Sequence, residues 1–344
     1  MLFGKSQFSA NAARQGDKTF CELFSGFGTI SKTKKSNSTD SVGVLSRLKY
    51  LFLLVRMNAQ RTPPTAEQVV AGITHAASTY ETYSGKSASA SSLLEIGFGA
   101  RPHRAFAFQA LVDNVTAVDL DVPVFGLGDF AACLKTNGFY RALKGVIRAT
   151  LFDRSEWRRF HEEMRKILPS YDPASTKLVV SDAGSPEFWS NHPGPYDFVY
   201  STDVFEHIPR DILAQALSQL HNHLSPNGVV VTRPTIFTGI IGGHDPSWYR
   251  TRVDANNSET AWQHLWDPDF AVDTYLNRLT RSDYERMFHE AGFKILSEEA
   301  VHGRLGEKHL TQSIKQRLND RFDDHELFSN TVEYVLCRND ANLA

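Results

Sequence analysis

The chain has 344 residues, 41% hydrophobic and 22% charged, enough apolar material for a substantial core and too much for a disordered polypeptide. That length suits two average domains or one α/β domain with sizeable insertions. Lys and Arg number 37 against 39 Asp and Glu, a net charge of -2, which argues against a dedicated nucleic-acid binder with its strong basic excess.

The three cysteines, Cys21, Cys133 and Cys337, lie far apart without CxxC spacing, which disfavours both a disulfide-stapled scaffold and a cysteine-rich zinc module. No apolar run approaches the ~20 residues that span a bilayer. The longest, 50–55, is bracketed by Lys49 and Arg56. The N-terminus lacks the apolar stretch of a secretory signal, so a cytoplasmic, reducing setting is expected.

Residues 1–42 show no sustained period and read as a flexible arm. Residues 43–92 read as a helical extension. One helix is expected over 46–61, ended by Pro63-Pro64, and a second over 65–83, capped by Thr65 with Val69, Val70 and Ile73 on one side. After a Ser-rich join the pattern alternates strand and helix. Strands are expected at 93–97, 115–118, 177–181, 196–201, 229–232, 293–297 and 331–337. Pro102 suits the first turn of one helix, Pro209 opens another, and Thr280 with Asp283 forms a capping box for a third that ends at Gly292. Strands separated by helices imply an α/β fold with a doubly wound, mostly parallel sheet, here over 93–344. Two connections, 120–176 and 234–279, exceed what a plain crossover needs and read as inserted cap segments. The first carries a basic amphipathic helix at 139–148, whose Arg141, Lys144 and Arg148 suit either a solvated face or peripheral contact with an anionic surface. Residues 305–322 are expected to cover the sheet edge between the last two strands.

The most informative segment runs Leu94-Glu95-Ile96-Gly97-Phe98-Gly99-Ala100-Arg101: a strand ending in a carboxylate, then two glycines entering a helix. Glycine suits a sharp turn that a ligand must approach closely. Asp119 follows Gly99 by twenty residues at the end of the next strand, where a carboxylate accepts ribose hydroxyls. A nicotinamide site would want a third glycine where Pro102 stands. An acid beside a pyrophosphate is also unfavourable, whereas S-adenosylmethionine carries an ammonium and a sulfonium and no phosphate.

Two further stretches sharpen this. Asp182 ends the third strand beside Ala183, and Tyr196-Asp197-Phe198-Val199-Tyr200-Ser201 leads into Asp203, Glu206, His207 and Ile208. Here the chain resembles the class I S-adenosylmethionine-dependent methyltransferases, in particular the group with an EHI motif after the fourth strand. The turn 224–228 and Ala291-Gly292-Phe293 resemble recurrent junctions of that family. The resemblance covers about 93–232 and returns over 277–337, and it implies a seven-stranded Rossmann-like sheet. It implies that Glu95, Gly97 and Gly99 line the methionine portion, Asp119 holds the ribose, Asp182 and Ala183 flank the adenine, and Ser201 lies between cofactor and acceptor. Arg101 departs from the pattern, since the family often has a third glycine there.

Each residue has a plainer alternative. Glu95 could cap the neighbouring helix, Asp197 suits a structural strand start, and His207 is either a base or an organiser of its loop. In the second insert, aromatics cluster with His and Asp around His244, Trp248 and His264. That suits a pocket for a small molecule or glycan, or a packed Trp-rich cap. His244 and His207 are the expected bases, Trp248 and His264 the expected substrate contacts. A divalent metal site made from Asp182, Asp203, His207 and His244 is conceivable, but no motif supports one, so none is expected. The expected reaction is methyl transfer to a small molecule or glycan, with O-methylation favoured. The alternative is a regulatory or assembly subunit that keeps the fold without catalysis.

Overall fold

The structure, a computed structural model, describes residues 63–342 apart from 273. The expected arm at 1–42 and helix at 46–61 lie outside the described residues, as do the side chains of Arg141 and Lys144.

Helix α1, Ala66–Ser84, begins at a capping box in which Thr65 and Gln68 satisfy each other's backbone N–H groups, and ends at Gly85 in the left-handed conformation. Its buried stripe, Val69, Ile73, Ala76 and Tyr80, joins one apolar cluster with Phe198, Tyr200, Val229 and Val231 of the sheet. Tyr80 stacks on Phe198 at 4.8 Å. The core therefore continues across the expected boundary at residue 92.

The strands are β1 Ser92–Ile96, β2 Asn114–Asp119, β3 Lys177–Val180, β4 Tyr196–Thr202, β5 Leu224–Arg233, β6 Phe293–Ala300 and β7 Val332–Arg338. They form one seven-stranded sheet in the order β3-β2-β1-β4-β5-β7-β6. Neighbours from β3 to β5 are parallel, and β7 pairs antiparallel with both β5 and β6. All seven expected strands are present. β5 starts earlier than expected because Leu224 already pairs with Tyr196, and the Pro226-Asn227-Gly228 turn is absorbed as a register shift.

Helices cover both faces. α2 is His103–Phe108, α3 Phe130–Asn137, α4 Phe139–Arg148, α5 Arg154–Ile167, α6 Pro186–Asn191 and α7 Arg210–His223. α8 is Gln263–Trp266, α9 Arg281–Glu290, α10 Gln312–Leu318 and α11 Asp324–Leu327. α1 and α5 share the first apolar layer. α7 and α9 pack Leu213, Leu217, Leu220, Tyr284 and Phe288 beneath Leu94, Ile96, Val199 and Val230 on the other face. The capping box Thr280–Asp283 opens α9 as expected.

The second insert builds its own core with the stretch before β7: Ile240, Trp248 and Trp262 pack with Ile314, Leu318 and Phe328. Residues 305–322 thus differ from their expected place over the sheet edge, because the apolar side of α10 finds this partner instead. Among the described residues no helix is long and apolar enough to cross a membrane.

Candidate functional site

Strand order reverses between β1 and β4, and the parallel strands end on one edge, the geometry that opens a ligand crevice at their carboxyl ends. Gly97 and Gly99 leave β1 with φ of +87° and +68°. A Cβ on Gly97 would lie 2.1 Å from Cγ2 of Val204, so the loop after β4 rests directly on this glycine.

Asp119 closes the loop from the next strand. Its carboxylate accepts the Gly99 N–H at 2.7 Å and the Asp121 N–H at 2.8 Å. Burial, then the nearby Asp121 charge, push the Asp119 carboxyl up to about 7. Asp182 sits past the end of β3, accepting the Gly184 N–H at 2.7 Å, with Ala183 beside it. The Ala183 carbonyl accepts the Trp189 indole N–H at 2.8 Å.

Glu95 takes a form the sequence did not foretell. It is fully buried and accepts Nε of Arg104 at 2.8 Å, while Nη2 of Arg104 donates to the Gly97 carbonyl at 3.1 Å. The acid and the first turn of α2 thus brace the glycine loop from below. Its Oε2 is buried without a partner, leaving one acceptor lone-pair set for a cationic ligand group. Burial raises this carboxyl, and Arg104 partly offsets that.

Arg101, the departure from the family pattern, is buried and forks onto one oxygen of Asp153, through Nε at 3.0 Å and Nη2 at 2.5 Å. Arg148 donates Nε to the other Asp153 oxygen at 2.7 Å and Nη2 to the Ala100 carbonyl at 3.2 Å. Asp153 ends a single π-helical stretch, Ala149–Asp153, which turns this side chain under the loop. Arg148 therefore does not face an anionic surface, as the basic-helix reading allowed; its charge is taken up by the loop and Asp153. Asp153→Asn would leave two buried guanidiniums without their shared anion. A loss of about 3–5 kcal/mol is expected, read by urea unfolding.

Ser201 is also placed differently from expectation. It has no exposed surface and its hydroxyl donates to the Ile96 carbonyl at 3.0 Å, stitching β4 to β1 rather than facing an acceptor. Asp197 accepts the Ser92 N–H and the Ser225 hydroxyl, a structural strand-start role.

Beyond β4, Asn277 organises the EHI turn. Its amide donates to the carbonyls of Phe205 at 2.7 Å and Ile208 at 2.9 Å, and its backbone N–H donates to the Glu206 carbonyl. The Tyr275 carbonyl sits 2.9 Å from Nδ1 of His207. A carbonyl only accepts, so Nδ1 carries the proton and Nε2 keeps a lone pair.

His244 arrives from the loop after β5, in the left-handed region at φ +52°. Gly242 and Gly243 before it are packed too tightly for any side chain, the first against the Ile236 and Phe237 carbonyls, the second against the His264 ring. The His207 and His244 rings meet at 5.0 Å between centroids. Burial holds both imidazoles neutral near pH 7, and the nearby His207 ring adds to the effect on His244. The two expected bases are thus brought together, His207 on the same turn as the Val204 that contacts Gly97.

The expected substrate contacts are not on that surface. Trp248 is 2% exposed and packs edge-on to His309 at 5.1 Å, leaving no face for a substrate to stack on. His264 is half-buried, donates Nε2–H to the Phe237 carbonyl at 2.8 Å, and is pushed down to about 4 by burial. The packed-cap alternative describes both residues. Arg104, Asp153 and Asn277 also hold the site together and are not among the expected residues; only Arg101, the departure from the family pattern, hinted at Asp153.

A family model described as a methyltransferase domain matches residues 73–298, well over half the chain. The chain belongs to this methyltransferase family. S-adenosylmethionine is accordingly its methyl donor, and the glycine cradle, the orphaned Glu95 oxygen and the Asp119 carboxylate suit a cationic nucleoside without phosphate. Similar solved structures include the PH0226 protein of Pyrococcus horikoshii, 13% identical, covering 79% of this chain and 91% of its own, TM-score 0.41. The CcbJ methyltransferase of Streptomyces caelestis is 13% identical, with 83% and 92% covered and a TM-score of 0.41. An S-adenosylmethionine-dependent methyltransferase of Clostridium acetobutylicum is 11% identical, with 84% and 98% covered and a TM-score of 0.39. No curated protein matches the chain.

Proposed function

We propose that this methyltransferase acts on a hydroxyl of a small molecule or glycan, in a cytoplasmic setting, as a member of the group with an EHI motif after the fourth strand. The observation that carries the reading is the pair of neutral imidazoles, His207 and His244, 5.0 Å apart, with His207 on the turn whose Val204 contacts Gly97.

When bound, S-adenosylmethionine supplies an electrophilic methyl on a sulfonium. Gly97 and Gly99 let the backbone approach its methionine portion, Asp119 accepts the ribose hydroxyls, and Asp182 with Ala183 borders the adenine. A hydroxyl acceptor has a high pKa and gains from a base at the moment its oxygen attacks. Nε2 of His207 or of His244 receives that proton as the oxygen–methyl bond forms and the sulfur–methyl bond breaks. The His264 ring of the cap packs against Gly243 and so fixes the backbone that presents His244. The net charge of -2 suits a small neutral acceptor better than nucleic acid.

The direct test is mass spectrometry of cell extracts incubated with the enzyme and methyl-labelled cofactor. A labelled small molecule or glycan supports the reading; label confined to protein or nucleic acid overturns it. Asp119 adds a pH test. With its carboxyl near 7, protonation removes an acceptor for the ribose, so affinity rises with pH up to that point and then levels. Below it affinity falls until it reaches that of the protonated form. Calorimetric titrations across this range check it, and Asp119→Asn should flatten the profile.

A further inference from the structure

Glu206, His207 and His244 each place one potential ligand atom within 4.8 Å of the others. Glu206 is 3% exposed, and although the Thr235 N–H and hydroxyl and its own N–H lie against the carboxylate, neither oxygen completes a hydrogen bond of full geometry among the described residues. An ionised carboxylate buried in that way is costly unless a cation or proton meets it. Nε2 of His244 is likewise buried without a partner. His207 has its Nδ1–H held by the Tyr275 carbonyl, the outer contact that commonly fixes the tautomer of a ligating imidazole and leaves Nε2 free. Asp203, on the same turn, adds negative charge beside Glu206.

Backbone strain has the same address. His244 holds a left-handed φ on two glycines that admit no side chain, and Asp203 has φ +56°. Non-glycine residues keep such conformations where the surroundings over-determine them, often at functional sites.

We propose that Glu206, His207 and His244 bind one divalent transition-metal ion of the zinc class, with positions left open toward the methyl acceptor. Two imidazoles and one carboxylate suit zinc, cobalt(II) or iron(II) better than magnesium, which prefers all-oxygen shells. From an open position, the ion would hold the acceptor oxygen and lower the pKa of its hydroxyl. The acceptor proton then passes to solvent before transfer, the oxygen–methyl bond forms and the sulfur–methyl bond breaks. In that state the imidazoles act as ligands, and the proton-accepting role proposed above passes to water. This role in transfer rests on the proposed hydroxyl methylation, whereas binding of the ion does not. The other grouping of this kind among the described residues, Glu285, Glu298 and His325, is a poorer candidate, because Arg281 already pairs with Glu298 and His325 is half exposed.

The test is titration of the chelator-treated full chain with Co²⁺, followed by visible absorption, and with Zn²⁺ by calorimetry. One ion per chain is expected, and Glu206→Gln and His244→Asn should each weaken it by about 100-fold or more. Asparagine tolerates the left-handed backbone at 244, and glutamine keeps the shape of the acid, so both variants should fold. Thermal unfolding verifies that. Absence of stoichiometric binding by the wild-type chain, or equal binding by folded variants, overturns the site. S-adenosylmethionine binding and label transfer are measured on the same preparations. Failure of metal binding with transfer intact sinks only the ion; metal binding with no hydroxyl methylated sinks only the acceptor assignment.

Discussion

Gly97→Ala is expected to weaken S-adenosylmethionine binding by about 100-fold, equivalent to ~2.7 kcal/mol. Two costs add. The backbone stands at φ +87°, where a side chain costs roughly 1–2 kcal/mol, and the new Cβ would fall 2.1 Å from Val204. That contact is with a branched residue just after β4, so relief requires moving either the glycine loop or the turn that carries Glu206 and His207. Equilibrium dialysis with labelled cofactor reads the loss. Gly72→Ala is the control: a Cβ there meets nothing within 4 Å, in the middle of α1. It should leave binding unchanged and add roughly 0.5–1 kcal/mol of helix stability. Equal cofactor affinity in Gly97→Ala and wild type would remove the cradle from the cofactor site.

His244→Asn is expected to lower kcat by ~10²–10⁴-fold while cofactor affinity stays near wild type. The residue is distant in sequence from the glycine loop and meets the site at the turn carrying Glu206 and His207, so cofactor contacts should persist. Combining it with His207→Asn should cost little more than either change alone, because residues acting as one unit are not additive. Single-turnover assays with labelled cofactor separate the chemical step from binding. An unchanged single-turnover rate would take the imidazole pair out of the reaction.

The sheet was legible because its signals are local. Val229 to Val231 and Phe198 to Tyr200 are apolar runs bounded by turn residues, and the capping boxes at Thr65 and Thr280 lie within four residues of the helices they start. The glycine loop was legible for the same reason: two glycines one residue apart after an apolar run mark a sharp turn wherever the rest of the chain goes. The pairing of His207 with His244 was anticipated only as two separate candidates, since nothing local ties the loops after β4 and β5 together.

Fold class, strands and the glycine loop at the carboxyl edge of the sheet are all written locally, in apolar periodicity and turn residues. Tertiary structure alone decided what the charged and aromatic side chains do there. Burial turned Glu95 toward Arg104, folded Arg101 and Arg148 onto Asp153, and sealed Trp248 inside the cap. The physical reason is range. Backbone preference and apolar period are written over a few neighbouring residues, whereas a buried charge must find its counter-charge anywhere in the chain, and only the packed molecule shows which one it meets.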